Sequence, residues 1–170
     1  KKLTLKNEKI EIPIPGGTAD EEKILIKGKG NEHYEYRTGD LVIIVKVKPN
    51  ASFKRVRDDL HIEKTISLIE ALTGFSFNLD HLNGHTVTIT CPPNHMVLHK
   101  EVMRIPNLGM PHPKSPMSHG DLFVNFHVQM PEKLTADQVA TLKKVLPPPL
   151  HKDVQKTKNT YQLEEYVEQK

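Results

Sequence analysis

The chain has 170 residues, room for one large domain or two small ones at about 100–150 residues each. Lysine and arginine number 24 against 21 aspartates and glutamates, and the resulting charge of +3, spread evenly, does not mark a nucleic-acid or membrane surface. A single cysteine, Cys91, excludes an internal disulfide and a cysteine-based zinc site from this segment, and the longest apolar run, Leu41 to Val45, falls far short of the roughly 20 residues of a membrane span.

Hydrophobic residues make up 36% and there are 13 prolines and no tryptophan, a composition of edges, turns and loops. The first residue is Lys1, not Met, so the sequence reads as a fragment. From Lys9 to Ile14 apolar and polar residues alternate, which sends Ile10, Ile12 and Ile14 to one face of a strand. Pro13 lacks an N–H, so this strand belongs at an edge or ends its pairing there. Pro15-Gly16-Gly17 is a turn, and Lys23 to Lys27 resumes an extended run before Gly28 and Gly30. Leu41 to Val47 is mostly apolar and β-branched, the profile of a strand covered on both faces. Ser67-Leu68-Ile69-Glu70 has capping-box form, with Gly74 as the stop of a short helix. Thr86 to Thr90 and Leu122 to Val128 alternate as strands. Thr135-Ala136-Asp137-Gln138 is a second capping box, followed by Val139, Leu142, Val145 and Leu146 on one helical stripe that Pro147-Pro148-Pro149 ends.

The chain also repeats itself loosely. Gly39-Asp40-Leu41 and Gly120-Asp121-Leu122 each open an apolar strand that closes at a proline. Ile10-x-Ile12-x-Ile14-Pro15 has an echo in Val87-x-Ile89-x-Cys91-Pro92. An apolar stretch and a glycine-bearing loop follow each echo, and four features in matching order favour duplication over chance recurrence. Asp58 to His81 has no counterpart before Lys1, so the first copy lacks its opening strand and short helix. The run from Lys48 through Arg57 joins the copies.

Catalytic chemistry finds little support. His81 and His85 flank the hairpin turn Asn83-Gly84, and His95, His99, His112 and His119 lie in stretches that read as solvated loops. Cys91 beside Pro92 reads as a buried, inert thiol. No nucleophile elbow, Walker loop or dinucleotide fingerprint is present. The alternating isoleucines could serve an edge strand that accepts an extended peptide by β-addition. Alternation alone, however, favours a plain core role for them.

Taken together the landmarks resemble the C-terminal, client-binding part of the DnaJ co-chaperone family (heat-shock 40-kDa class). The matching residues run Ile12-x-Ile14-Pro15-Gly16-Gly17, Gly39-Asp40-Leu41, Phe53-Lys54-Arg55, Asp58-Asp59-Leu60 and Ile66-Ser67-Leu68-x-Glu70-Ala71-Leu72-x-Gly74-Phe75. They continue through Leu82-Asn83-Gly84, Leu108-Gly109-Met110-Pro111, Gly120-Asp121-Leu122 and Leu146-Pro147-Pro148. Tyr161-x-Leu163-Glu164-Glu165-Tyr166-Val167 is closer to the tail of the zinc-bearing subclass.

The resemblance implies a mainly β fold of two tandem β-sandwich-like domains, the first truncated, with short helices, a dimerisation helix and a tail. It divides the chain into residues 1–50, 51–132, 133–148 and 149–170. It implies no enzyme, and a co-chaperone that binds unfolded polypeptides and dimerises, working in the cytoplasm with a 70-kDa heat-shock chaperone through a J-domain this segment lacks. His112-Pro113-Lys114 is not the His-Pro-Asp signature of that domain. Carried over by position, Ile10, Ile12 and Ile43 belong to the client pocket. Val139, Leu142, Val145 and Leu146, with Tyr161, Leu163 and Tyr166 of the tail, belong to the homodimer contact. No cofactor is expected in this segment, zinc being expected elsewhere in the full-length protein, and neither nucleic acid nor a membrane is an expected partner. The competing readings are a structural dimerisation scaffold without client binding and an enzyme with a metal at the histidines.

Overall fold

The computed structural model describes residues 2–5, 8–31, 34 and 37–150. The chain divides into two compact units, Lys1–Met130 and Pro131–Lys170. The first is almost entirely β and contains both copies of the repeat.

The second copy is the more complete. Its main sheet runs β5 (Lys54–Val56), β6 (Asp59–Ser67), β12 (Leu122–Gln129), β9 (Val102–Ile105) in spatial order. β6 and β12 pair in parallel over their whole length, Leu122 opposite Leu60 and Gln129 opposite Ser67, and the other pairings are antiparallel. Alternation sends Leu60, Ile62 and Ile66 of β6 and Leu122, Val124 and Phe126 of β12 to one face, where all six are buried. Each such side chain contributes about 1.5–3 kcal/mol by leaving water. The hairpin of β7 (Ser76–Asp80) and β8 (Thr86–Thr90) closes over that face through Phe77, Leu79 and Ile89. Phe75 meets Phe126 edge-on, 5.3 Å between centroids. The short helix α1 (Leu68–Thr73) continues from β6 through the expected capping box, the Ser67 N–H donating to Glu70 Oε2 at 2.8 Å. A small hairpin, β10 (Pro111–His112) with β11 (Ser115–His119), completes this half.

The first copy consists of two hairpins, β1 (Lys2–Leu5) with β2 (Glu8–Glu11) and β3 (Lys23–Ile26) with β4 (Leu41–Ile44). β1 stands where no strand was expected, as the counterpart of β7, so β5, β6, α1 and the β10–β11 hairpin lack a counterpart among the described residues. β2 ends at Glu11, ahead of Pro13, so Ile12 and Ile14 lie beyond the pairing instead of within one continuous strand. β4 is covered on one face only: Val42 and Ile44 are 51% and 53% exposed, against the expectation of cover on both. Its described pairing is with β3 alone.

The duplication is visible bond by bond. Ile26 faces Leu41 as Ile105 faces Leu122. The Gly30 N–H donates to Gly39 O at 2.7 Å and the Gly109 N–H to Gly120 O at 2.8 Å. Glu22 Oε2 accepts from the Ala19 N–H as Glu101 Oε2 accepts from the Leu98 N–H. Left-handed backbone recurs at matched places, Glu21 with Lys100 and Gly28 with Asn107. Such agreement in hydrogen bonds and unusual φ values is what a shared ancestral hairpin leaves behind.

The second unit holds α2 (Ala136–Val145). Thr135 and Gln138 form the reciprocal cap read from the sequence, and Leu146, next to Pro147, leaves the helix in extended conformation. None of its residues is buried; Val139 and Leu142 are half-buried, while Val145 is 76% exposed.

Candidate functional site: an incompletely covered apolar face

Ile10 lies on β2, half-buried, and its backbone partner is Leu3. Ile12, just past the end of β2, is only 3% exposed. Ile43 lies on β4, half-buried and directly opposite Ile24. Ile10 and Ile43 therefore sit on two different hairpins, with Ile12 just beyond the first, and among the described residues no strand pairing joins those hairpins.

The repeat gives Ile43 an internal control. Leu41, Ile43 and Val45 occupy the places of Leu122, Val124 and Phe126, which are 0%, 1% and 2% exposed. All three first-copy residues are only half-buried. The difference has a structural cause: β12 has β6 along its second edge and the β7–β8 hairpin over its face, whereas the described pairing of β4 is with β3 alone. An apolar face that is core in one copy is thus partly open in the other, and its aliphatic side chains can take up further apolar surface.

A separate groove of about 1010 Å³ runs between the copies, lined by the 17–22 turn, the Val47–Asn50 connection and β5 with the start of β6. None of Ile10, Ile12 and Ile43 lines it. Beside it Arg55 reaches back across the chain, donating to Gly17 O at 2.6 Å, Thr18 O at 2.8 Å and Arg57 O at 2.6 Å. Asp58 stands 3.8 Å from that guanidinium and 2.9 Å from His112 Nδ1.

His81 and His95 lie in loops as expected but are half-buried and bonded, while His99 is exposed as expected and still bonds to backbone. His81 Nε2 lies 3.2 Å from Leu108 O with its ring edge-on to Phe53. His95 pairs with Glu101 at 2.9 Å, and His99 Nδ1 accepts from the Val128 N–H. The sequence signal that could have found them is weak: only His95 has an acidic partner nearby in the chain, and the bonds of His81 and His99 go to distant backbone groups. The Glu101 carboxyl is held below the ordinary carboxylate range, first by the Leu98 N–H and then by His95. Cys91 is buried, and burial raises its thiol above the ordinary range, as an inert thiol requires. Among the described residues no cluster of three or more His, Cys, Asp or Glu is placed to hold a metal ion, and no helix is long and apolar enough to cross a membrane.

Of the residues assigned to dimerisation, Val139, Leu142, Val145 and Leu146 fall on α2 and its C-cap. Tyr161, Leu163 and Tyr166 lie outside the described residues.

The fold is thus a duplicated β-hairpin core with an incompletely covered apolar face in its first copy. Residues 1–131 match the family model described as the DnaJ C terminal domain. The chain is 40% identical over 149 residues to "Chaperone protein dnaJ A6" of Oryza sativa subsp. japonica, covering 86% of this chain and 36% of the rice protein. It is 35% identical over 147 residues to "DnaJ protein homolog" of Cucumis sativus, covering 86% and 36%. With "Chaperone protein dnaJ 3" of Arabidopsis thaliana the identity is 36% over 140 residues, covering 82% and 33%. The chain belongs to the DnaJ C-terminal domain family, and it spans about a third of the length of these curated relatives.

Proposed function

We propose that this chain is the client-binding and dimerisation part of a cytosolic DnaJ co-chaperone. In this reading residues 1–50 form the client-binding domain, 51–132 the second β-domain, 133–148 the dimerisation helix and 149–170 the tail. The observation that carries the reading is the half-open face of Leu41, Ile43 and Val45 at positions that are full core in the second copy. An unfolded client supplies what that face lacks, apolar side chains on an extended backbone, with Ile10, Ile12 and Ile43 as pocket walls. A client held there is handed to a 70-kDa heat-shock chaperone, which the J-domain of the longer protein engages. The chain carries out no catalysis and needs no cofactor; the zinc of the zinc-bearing subclass belongs outside this segment. α2 meets its symmetry mate through Val139, Leu142, Val145 and Leu146, with the tail residues Tyr161, Leu163 and Tyr166 adding to the contact.

The full burial of Val124 favours a second reading, in which Ile43 is core in the longer protein and the chain is a dimerisation scaffold. Suppression of aggregation of a chemically denatured model protein separates the two. A client-binding module delays light scattering in proportion to its concentration, and Ile43→Asp weakens that delay while the β-sheet circular dichroism persists. A scaffold leaves the scattering curve unchanged.

A further inference from the structure

We infer that Arg55 is a positioning residue through which the second repeat fixes the turn that follows the pocket residues Ile10 and Ile12 in the first; this rests on the client-binding reading above. Ile12 leads directly into the turn Pro15–Thr18, where Thr18 donates through both its N–H and Oγ1 to Pro15 O. That turn is fixed from outside its own repeat. Arg55, in β5, donates from Nη2 to Gly17 O at 2.6 Å and from Nη1 to Thr18 O at 2.8 Å. Its Nε donates to Arg57 O at 2.6 Å, so the planar fork is itself held in place, with Asp58 alongside. Gly17 has φ +83°, and a Cβ there would lie 1.8 Å from Pro111 O, so the backbone of the second repeat is pressed against the turn.

The duplication shows that this arrangement is particular to the first repeat. Its second-repeat counterpart, the turn Pro92–His95 with Asn94 at φ 59°, is held within its own repeat: His95 O takes the Cys91 thiol, at the place where Thr18 O takes Arg55. A turn that depends on a guanidinium from the next repeat is the means by which the two halves act together on one client. The three hydrogen bonds of Arg55 go to the turn and to Arg57 O, so its effect on a client passes through the turn.

The test compares the full 170-residue chain with Arg55→Ala, Arg55→Lys and Ile43→Asp, titrating a fluorescein-labelled extended heptapeptide with one leucine among alanines and serines. Amide hydrogen exchange is read alongside. Arg55→Ala is expected to raise Kd about tenfold, with Arg55→Lys intermediate because an ammonium keeps the charge and loses the fork. Faster exchange is expected at Thr18, whose amide bonds within the turn, with the amides of β6 and β12 protected as before. Should Arg55→Ala not fold, Arg55→Lys carries the test through the same two readouts. Wild-type affinity and wild-type Thr18 protection in the folded Arg55 variants, with Ile43→Asp still impaired, overturn the positioning role alone. If Ile43→Asp binds like the wild type, the client site and the positioning role fall together.

Discussion

Asp40 and Asp121 perform the same task in successive repeats: Asp40 Oδ1 accepts the Gly28 N–H at 2.8 Å and Asp121 Oδ1 accepts the Asn107 N–H at 3.0 Å. Each carboxylate thereby closes the loop between the two strands of its hairpin, and the Gly-Asp-Leu signature acquires a mechanical meaning. Gly30 and Gly109 let the backbone approach the glycine of each signature, the aspartate ties the turn, and the leucine starts the inward face. Asp121 does more than Asp40, since Arg104 pairs with its other oxygen at 3.2 Å.

The close approach sets an order of glycine substitutions. A Cβ on Gly109 would lie 2.4 Å from the Gly120 carbonyl carbon, and one on Gly30 would lie 2.7 Å from that of Gly39. Both contacts are with backbone, which cannot rotate away, so Gly109→Ala and Gly30→Ala each cost about 1–3 kcal/mol. Gly28→Ala meets nothing within 4 Å and bears only its φ of +68°, roughly 1 kcal/mol. Urea denaturation of the three variants should rank Gly109 as costliest and Gly28 as least; the reverse order would contradict the shared hairpin geometry.

Glu101 gives the fold an acid-sensitive bond. Its carboxylate accepts the Leu98 N–H at 2.7 Å and lies 2.9 Å from His95 Nε2, and its folded-state pKa is lowered. A carboxyl with a lowered folded pKa adds stability in full above the ordinary carboxylate range, and that stability is lost as pH falls through the folded value. Glu101→Gln should therefore cost about 1–2 kcal/mol at neutral pH. The gap from wild type should close as the solution is acidified. Urea midpoints across an acid series check this, and a gap that widens with acid would contradict the assignment.

The helix prediction concerns assembly. On α2 Val145 is 76% exposed and Leu146 44%, and each large apolar side chain left in water forgoes about 1.5–3 kcal/mol of burial. Leu142→Asp with Val145→Asp would place four uncompensated carboxylates across a two-fold contact. Sedimentation should then show a monomer with intact β-sheet circular dichroism. Persistence of a dimer would remove α2 from the interface.

Much of the local structure was legible in the sequence because it depends on near neighbours. Both capping boxes, the Asn83-Gly84 turn, the stop at Pro147 and the alternating strands 86–90 and 122–128 stand where the residue pattern put them. What escaped was non-local. The parallel pairing of β6 with β12 joins distant segments and leaves no local trace. The reach of Arg55 to Gly17 and Thr18, and the partners of His81 and His112, have the same character. β4 was misread because Leu41 to Val45 is apolar at every position, so alternation could not show which side chains point outward. The counterpart of β7 was missed because Lys2–Leu5 is short and its pairing with β2 supplies the evidence that composition does not.

The account stands most directly on whether the Ile43 face takes an unfolded chain. Fluorescence anisotropy of a reduced, carboxymethylated and therefore permanently unfolded polypeptide, titrated with the 170-residue chain, measures this. The account predicts saturable binding that Ile43→Asp reduces about tenfold or more while the fold persists, because an unpaired charge on that face is left uncompensated. Absence of binding, or equal binding by the folded Ile43→Asp variant, would contradict it.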